Sequence, residues 1–225
     1  MRRLLAALLP LLALIASPAR AEVTVYEPVE VQELVTDSGG DRLVEVVVAA
    51  PMPKGIAAYG PFRVLDGTRA ALVDVTDQAA PSQFSAMLRD YPGISMLVMI
   101  ECPGTEDDRA NLRLGRMIHS RGIATHVPAG GSVRSGGVEL FLAGVRRSAD
   151  PGSEFAVHAW ADEDGREPAD FAADAPQNHA YLDYYREMGM SSSQAANFYA
   201  MTNSVSNADA KWLRAEDMAR WVKLD

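Results

Sequence analysis

The alternation of apolar and polar positions changes character twice along the chain. Residues 23–50 carry the β-branched runs "VTVYEPVEVQELV" and "RLVEVVVAA", separated by the turn cluster "TDSGGD", and predict strands. "PMPKG" then interrupts, because Pro51 and Pro53 cannot donate to a central ladder. "FRVL", the Asp66-Gly67 turn and "RAALVDV" predict a hairpin. From Ala71 the period alternates between strand and helix. "ALVDV" reads as a strand, and "PSQFSAMLRD" as a short helix with Phe84, Met87 and Leu88 on one side. "ISMLVMIE" is an almost unbroken apolar run, as expected of a strand buried on both faces. "TEDDRANLRLGRMIHSRG" places Ala110, Leu114, Met117 and Ile118 on one helical stripe, with acids in the first turn and Gly122 as its stop. "IATHVPA" is the next strand, Ser135 opens the helix "GGVELFLAG", "ADPGS" is a turn and "EFAVHAW" a further strand. This βαβαβ order implies a mostly parallel sheet with right-handed crossovers. Residues 165–225 read as mainly helical, through "NHAYLDYYREMG", "SSQAANFYAMT" and "AEDMARWVKLD".

The first 21 residues do not fit this globular pattern. Arg2 and Arg3, an apolar stretch from Leu4 to Ala16 and the small-x-small end Ala19-Arg20-Ala21 form the three-part pattern of a secretory signal peptide. The stretch is shorter than the roughly 20 apolar residues of a spanning helix. The expectation is an exported, periplasmic chain beginning at Glu22, with no stable membrane insertion after cleavage. Removing Arg2, Arg3 and Arg20 leaves 18 of the 21 basic residues against 30 acidic ones, moving the net charge from −9 to about −12. That surface argues against nucleic acid or anionic lipid as a partner. A single cysteine, Cys102, excludes an internal disulfide, and the four histidines lack metal-ligand spacing. No metal or organic cofactor is implied.

Three features converge on hydrolytic chemistry. The Pro-Gly turn of "ECPGT" follows a buried strand, where open α/β sheets present ligands to backbone N–H groups. Ser135 precedes Gly136 and Gly137 at a helix start. His158 follows 23 residues later, in a predicted strand. A serine hydroxyl needs a neighbouring imidazole to become a nucleophile, and the resulting oxyanion needs aimed N–H donors. Each residue also has a plainer reading: Ser135 as a helix cap, His158 as a strand histidine bonded to a carbonyl, Cys102 as a small buried apolar residue, and Tyr181, Tyr184 and Tyr185 as a packing face. Ser132 competes with Ser135 but lacks the following glycine pair.

The motifs "ECPGT", "GRMIHSRGIATHVPAGGSVRSGGVELFLAGVRR", "DPGSEFAVHAW" and "WLRAEDMARWVKLD", in that order over roughly residues 70–225, resemble the Clp protease proteolytic-subunit/crotonase superfamily, most closely its secreted periplasmic bacterial branch. The resemblance implies an α/β superhelix of ββα-like units over 61–225, with a β-rich extension over 22–60 and a helical C-terminal region. It implies Ser135 as nucleophile and His158 as general base. Gly136 N–H and the Gly104/Thr105 turn would form the oxyanion hole. It also implies a peptide or acyl-ester substrate and a homo-oligomer. The chain departs from the pattern twice. Thr105 stands where a second glycine is usual, and the acid expected before "WLRAED" falls near Ser206 in "MTNSVSNADAK". Asn203 is the favoured third member, since orienting the histidine is that member's task, with Ser206 and Asp209 as alternatives.

The leading expectation is thus a periplasmic serine hydrolase, a peptidase or esterase. One rival is a catalytically inactive protein of the same fold, serving as a peptide-binding or assembly module. The other is a crotonase-like thioester enzyme, which export disfavours and which would leave Ser135 idle.

Overall fold

The computed structural model describes residues 48–225. The export segment over 1–21 lies outside them, as does the β structure expected over 23–50 except for its last three residues, which form no strand. Within the described residues the apolar pattern folds into two sheets flanked by helices. The predicted hairpin forms from β2 (Phe62–Val64) and β3 (Arg69–Leu72), and β1 (Ala57–Tyr59) pairs antiparallel on the outer side of β2. Helix α1 (Ala80–Asp90) follows, burying Phe84, Met87 and Leu88.

The run "ISMLVMIE" is two strands. β4 (Met96–Met99) and β5 (Glu101–Cys102) belong to different sheets, and the chain crosses between them at Ile100. Helix α2 (Asp108–Ser120) comes next, capped by the Asp107 carboxylate on Ala110 N–H. The same step repeats. β6 (Ala124–Val127) and β7 (Ser132–Arg134) lead to α3 (Gly136–Leu142), and β8 (Arg147–Ala149) and β9 (Glu154–Val157) lead to α4 (Pro176–Glu187). In each repeat the first strand joins one sheet and the second joins the other, followed by a helix. Helix α5 (Ser192–Thr202), the strand β10 (Lys211–Arg214) and the one-turn helix α6 (Ala215–Met218) complete the chain.

The six-stranded sheet has the order β1-β2-β3-β4-β6-β8, the four-stranded sheet β10-β9-β7-β5. Strands β3, β4, β6 and β8 run parallel, as do β5, β7 and β9; the antiparallel pairs sit at the ends. The fold is therefore mixed α/β, built of mostly parallel ββα units. Fully buried Phe62, Phe84, Phe141, Phe155, Phe198 and Leu114 fill its core. At roughly 25 cal/mol per Å² of apolar surface removed from water, such residues supply most of the driving force. Among the described residues no helix is long and apolar enough to cross a membrane.

Parallel strands in the smaller sheet matter for the site. They bring the C-terminal ends of β5, β7 and β9 to one edge, so the residues that follow each strand, 103–105, 135–136 and 158–160, become neighbours.

Candidate active site

Ser135 occupies the turn from β7 into α3 with φ 49° and ψ −129°, the one non-glycine residue with positive φ among the described residues. Such a conformation costs of order 1–3 kcal/mol for a residue with a side chain, and persists only where the surroundings impose it. Here they do. Ser135 N–H extends the ladder by donating to Ala156 O (2.9 Å), and its carbonyl accepts from Val138 N–H (2.8 Å). The side chain makes no capping hydrogen bond, so the helix-cap reading of Ser135 does not hold. A strained strand-to-helix turn with a free hydroxyl is the device by which hydrolases expose a nucleophile.

The Pro-Gly turn packs against it. Gly104 has φ 134°, and a Cβ there would lie 3.1 Å from Ser135 Cβ and 3.5 Å from Oγ, so the main chain of the turn stands beside the hydroxyl. Thr76 fixes the direction of that main chain. Its N–H donates to Gly104 O (3.1 Å) and its carbonyl accepts from Glu106 N–H (2.8 Å), forming a parallel bridge to Thr105. In such a bridge the intervening residue, Thr105, turns its own N–H away from Thr76. Among the described residues, neither Thr105 N–H nor Gly136 N–H donates to another backbone carbonyl. Gly136 is pinned in turn: Asn111, buried at 2% exposure, donates from Nδ2 to Gly136 O (2.7 Å) and accepts from Thr76 Oγ1 at Oδ1 (3.0 Å). A Cβ on Gly136 would meet Thr105 Cγ2 at 2.6 Å, so only glycine fits there. The three residues expected to hold an oxyanion thus lie around Ser135.

His158 lies one residue past the end of β9, not within the strand, and is half-buried. Its Nδ1 is 2.8 Å from Ala159 O and 3.1 Å from Asn207 Nδ2. Asn207 Nδ2 also donates to Ala159 O (2.8 Å). With Nδ1–H donated to that carbonyl, the Nε2 lone pair is left free. The segment after α5 holds this end of the strand, since Ala159 N–H donates to Val205 O (3.0 Å).

Asn203, the favoured third member, is turned elsewhere. Its Nδ2 donates to Tyr199 O (2.6 Å), and its buried Oδ1 has no partner. Ser206 donates to Asp209 Oδ2 (3.1 Å) on the surface. The side chain from this stretch that reaches His158 is Asn207, four residues beyond Asn203. Ser132 sits in β7 with its Oγ accepting from Arg134, and Cys102 is buried with its thiol pushed well up by desolvation. His119 and His126 bond Ala143 O and Ser148 Oγ, and His179 is exposed.

Ser135, Gly136, Thr105, His158, Asn203 and Asn207 all line one cleft of about 480 Å³. Its far wall is aromatic. Trp160 lies nearly parallel to Tyr181, with 4° between the rings, and donates from Nε1 to Tyr199 OH (2.7 Å). Glu139, on α3, is 7% exposed; burial pushes its carboxyl up to about 7, against the lowering effect of Tyr185 OH, which donates to Oε1 (2.7 Å). Asp108 is exposed by area, yet it lines the cleft, where desolvation is the largest cause raising its pKa and the nearby Tyr181 hydroxyl opposes it. The three tyrosines of α4 therefore do more than pack: Tyr184 OH donates to Glu139 O (2.6 Å), and Tyr181 and Tyr185 line the cleft.

No protein-family model matches the chain, and no curated protein matches it. Solved structures do. The structures it is similar to include three proteases. A mutant of the membrane-bound stomatin-specific protease 1510-N in complex with a substrate peptide is 15% identical, covering 68% of this chain and 73% of its own (TM-score 0.44). A mutant of ClpP1 from Listeria monocytogenes is 18% identical over 69% of this chain and 88% of its own (TM-score 0.46). The ClpP protease catalytic domain from Plasmodium falciparum is 12% identical over 69% and 81% (TM-score 0.47).

Sequence reasoning missed Asn111, Glu139 and Asn207 as site residues. Asn111 and Glu139 had a signal: each is a polar residue inside an otherwise apolar stripe or run, a placement that demands a specific partner. Asn207 had none, because it lies in an aperiodic connection.

Proposed function

We propose that the chain is a serine hydrolase, a peptidase or esterase, acting through Ser135. One observation carries the reading: a strained serine with a free hydroxyl, set against the turn at Gly104 and sharing a cleft with His158. Ser135 Oγ attacks the acyl carbon of a peptide or ester while its proton passes to His158 Nε2. The carbonyl oxygen becomes an oxyanion, stabilised by Gly136 N–H and the N–H groups of the Gly104/Thr105 turn. One such donor is worth about 3–4 kcal/mol. Collapse breaks the scissile bond, and the imidazolium protonates the leaving amine or alcohol. Water then attacks the acyl-serine by the same route, with His158 as base, and regenerates Ser135. Ala159 O, held by Asn207, accepts Nδ1–H, keeps the tautomer and faces the imidazolium when it forms. The export pattern over 1–21 puts this reaction in the periplasm, on sequence grounds.

A second reading, a non-catalytic peptide-binding protein, is favoured by a specific feature: His158 Nδ1 bonds no carboxylate, and no hydrogen bond joins it to Ser135 among the described residues. Hydrolysis separates the two. Residues 22–225 are assayed with p-nitrophenyl acetate and a mixed fluorogenic peptide pool beside Ser135→Ala. The hydrolase reading expects kcat/KM to fall by about 10⁴-fold or more in the variant, with its melting temperature retained. Equal rates in both proteins, or no hydrolysis by either, contradict it.

A further inference from the structure

The cleft beside Ser135 contains a carboxylate that the hydrolytic mechanism does not use. Glu139 follows Ser135 by one helical turn, about 6 Å along the axis of α3. Tyr185 donates to its Oε1, and no side-chain donor reaches its other oxygen among the described residues. It lines the cleft although it is more than nine-tenths buried. The rest of the lining has the same sign. Glu106, Asp107, Asp108 and Glu163 also face the cleft, and none of them forms an ion pair among the described residues. Asp162, by contrast, is taken by Arg166. The basic residues on the lining are Arg109 and His158.

Resting on the reading of Ser135 as nucleophile, we infer that this pocket selects a lysine or arginine side chain, its cation seated on Glu139 and its stem lying along the aromatic wall at Tyr181. An apolar side chain in that place would bury the carboxylate with Tyr185 OH alone to offset its charge, and an acidic one would be repelled. A cation satisfies the free oxygen, while the aromatic rings cover the methylene stem and offer their faces to the charge. Trp160 and Tyr199 brace that wall through their mutual hydrogen bond, and Trp160 stacks on Tyr181.

Binding tests this without relying on turnover. The Ser135→Ala protein is titrated calorimetrically with acetyl-Ala-Ala-Lys-amide and with the norleucine analogue, which matches the stem but lacks the charge. The lysine peptide should bind about tenfold tighter or more at pH of about 8. Adding Glu139→Gln, which keeps an acceptor for Tyr185, should reduce lysine binding to the norleucine level. Lowering the pH to about 6, below the value near 7 to which burial pushes Glu139, should shrink the lysine preference. Tyr185 from α4, Asp108 from α2 and His158 after β9 face the same space, and protonated His158 would also repel the peptide. The Glu139→Gln protein, measured at both pH values, separates the two groups. Equal binding of the two peptides, failure of both to bind, or a preference that survives Glu139→Gln overturns the inference. None of these outcomes bears on hydrolysis of simple esters, which tests Ser135 by itself.

Discussion

Ser135 is held by main-chain hydrogen bonds and a close-packed turn, whereas His158 hangs past the end of β9 with its ring held by one carbonyl, which Asn207 also bonds. Around the serine, Gly104, Thr105 and Gly136 are in van der Waals contact, and buried Asn111 ties α2 to α3 through two hydrogen bonds. Around the histidine, the holding residue Asn207 is exposed and comes from a connection between α5 and β10. The difference separates two kinds of cost. The residues that pin the main chain around the serine are part of the packed core, so losing one of them costs stability as well as activity. The histidine side lies on the surface, so damage there should show in activity alone.

Asn207→Ala offers the largest contrast. Loosening Ala159 O and the imidazole should lower kcat by up to about 10²-fold, the cost of a small misplacement of a catalytic group, while the thermal midpoint stays put. A midpoint that falls with activity would erase the distinction between the two sides. Asn111→Ala should behave in the opposite way. It removes two buried hydrogen bonds, to Gly136 O and from the Thr76 hydroxyl, which keeps Gly104 O, so unfolding free energy should fall by about 2 kcal/mol in denaturant titrations, with activity reduced as the oxyanion wall relaxes. Loss of activity without loss of stability would mean that Asn111 is not a structural pin. The smallest change in stability is expected from Ser135→Gly. Glycine accepts φ 49° without strain, so stability should rise by about 1 kcal/mol even though hydrolysis is lost. A destabilised Ser135→Gly protein would show that the turn stores no strain.

The layout of the sheet was legible because parallel strands and helices write different periods. The Ala110, Leu114 and Ile118 stripe and the "PSQFSAMLRD" helix appear where the pattern puts them. The crossing at Ile100 was not legible, since a run buried on both faces has no polar residue to mark the step between sheets. Strands β7, β8 and β10 are three or four residues long, too short to show a period of two. Ser135 and the Pro-Gly turn stood out because glycine beside proline or serine constrains the backbone locally. Asn207 did not, because its role arises from a contact 49 residues away in sequence.

The account stands or falls on the reactivity of one hydroxyl. Residues 22–225 are treated with a fluorophosphonate, and the adduct is mapped by tandem mass spectrometry, with His158→Ala alongside. The account predicts a single phosphonylated residue, Ser135, and loss of that adduct in the histidine variant. An adduct on Ser132 or another serine, or none on the folded protein, would contradict it.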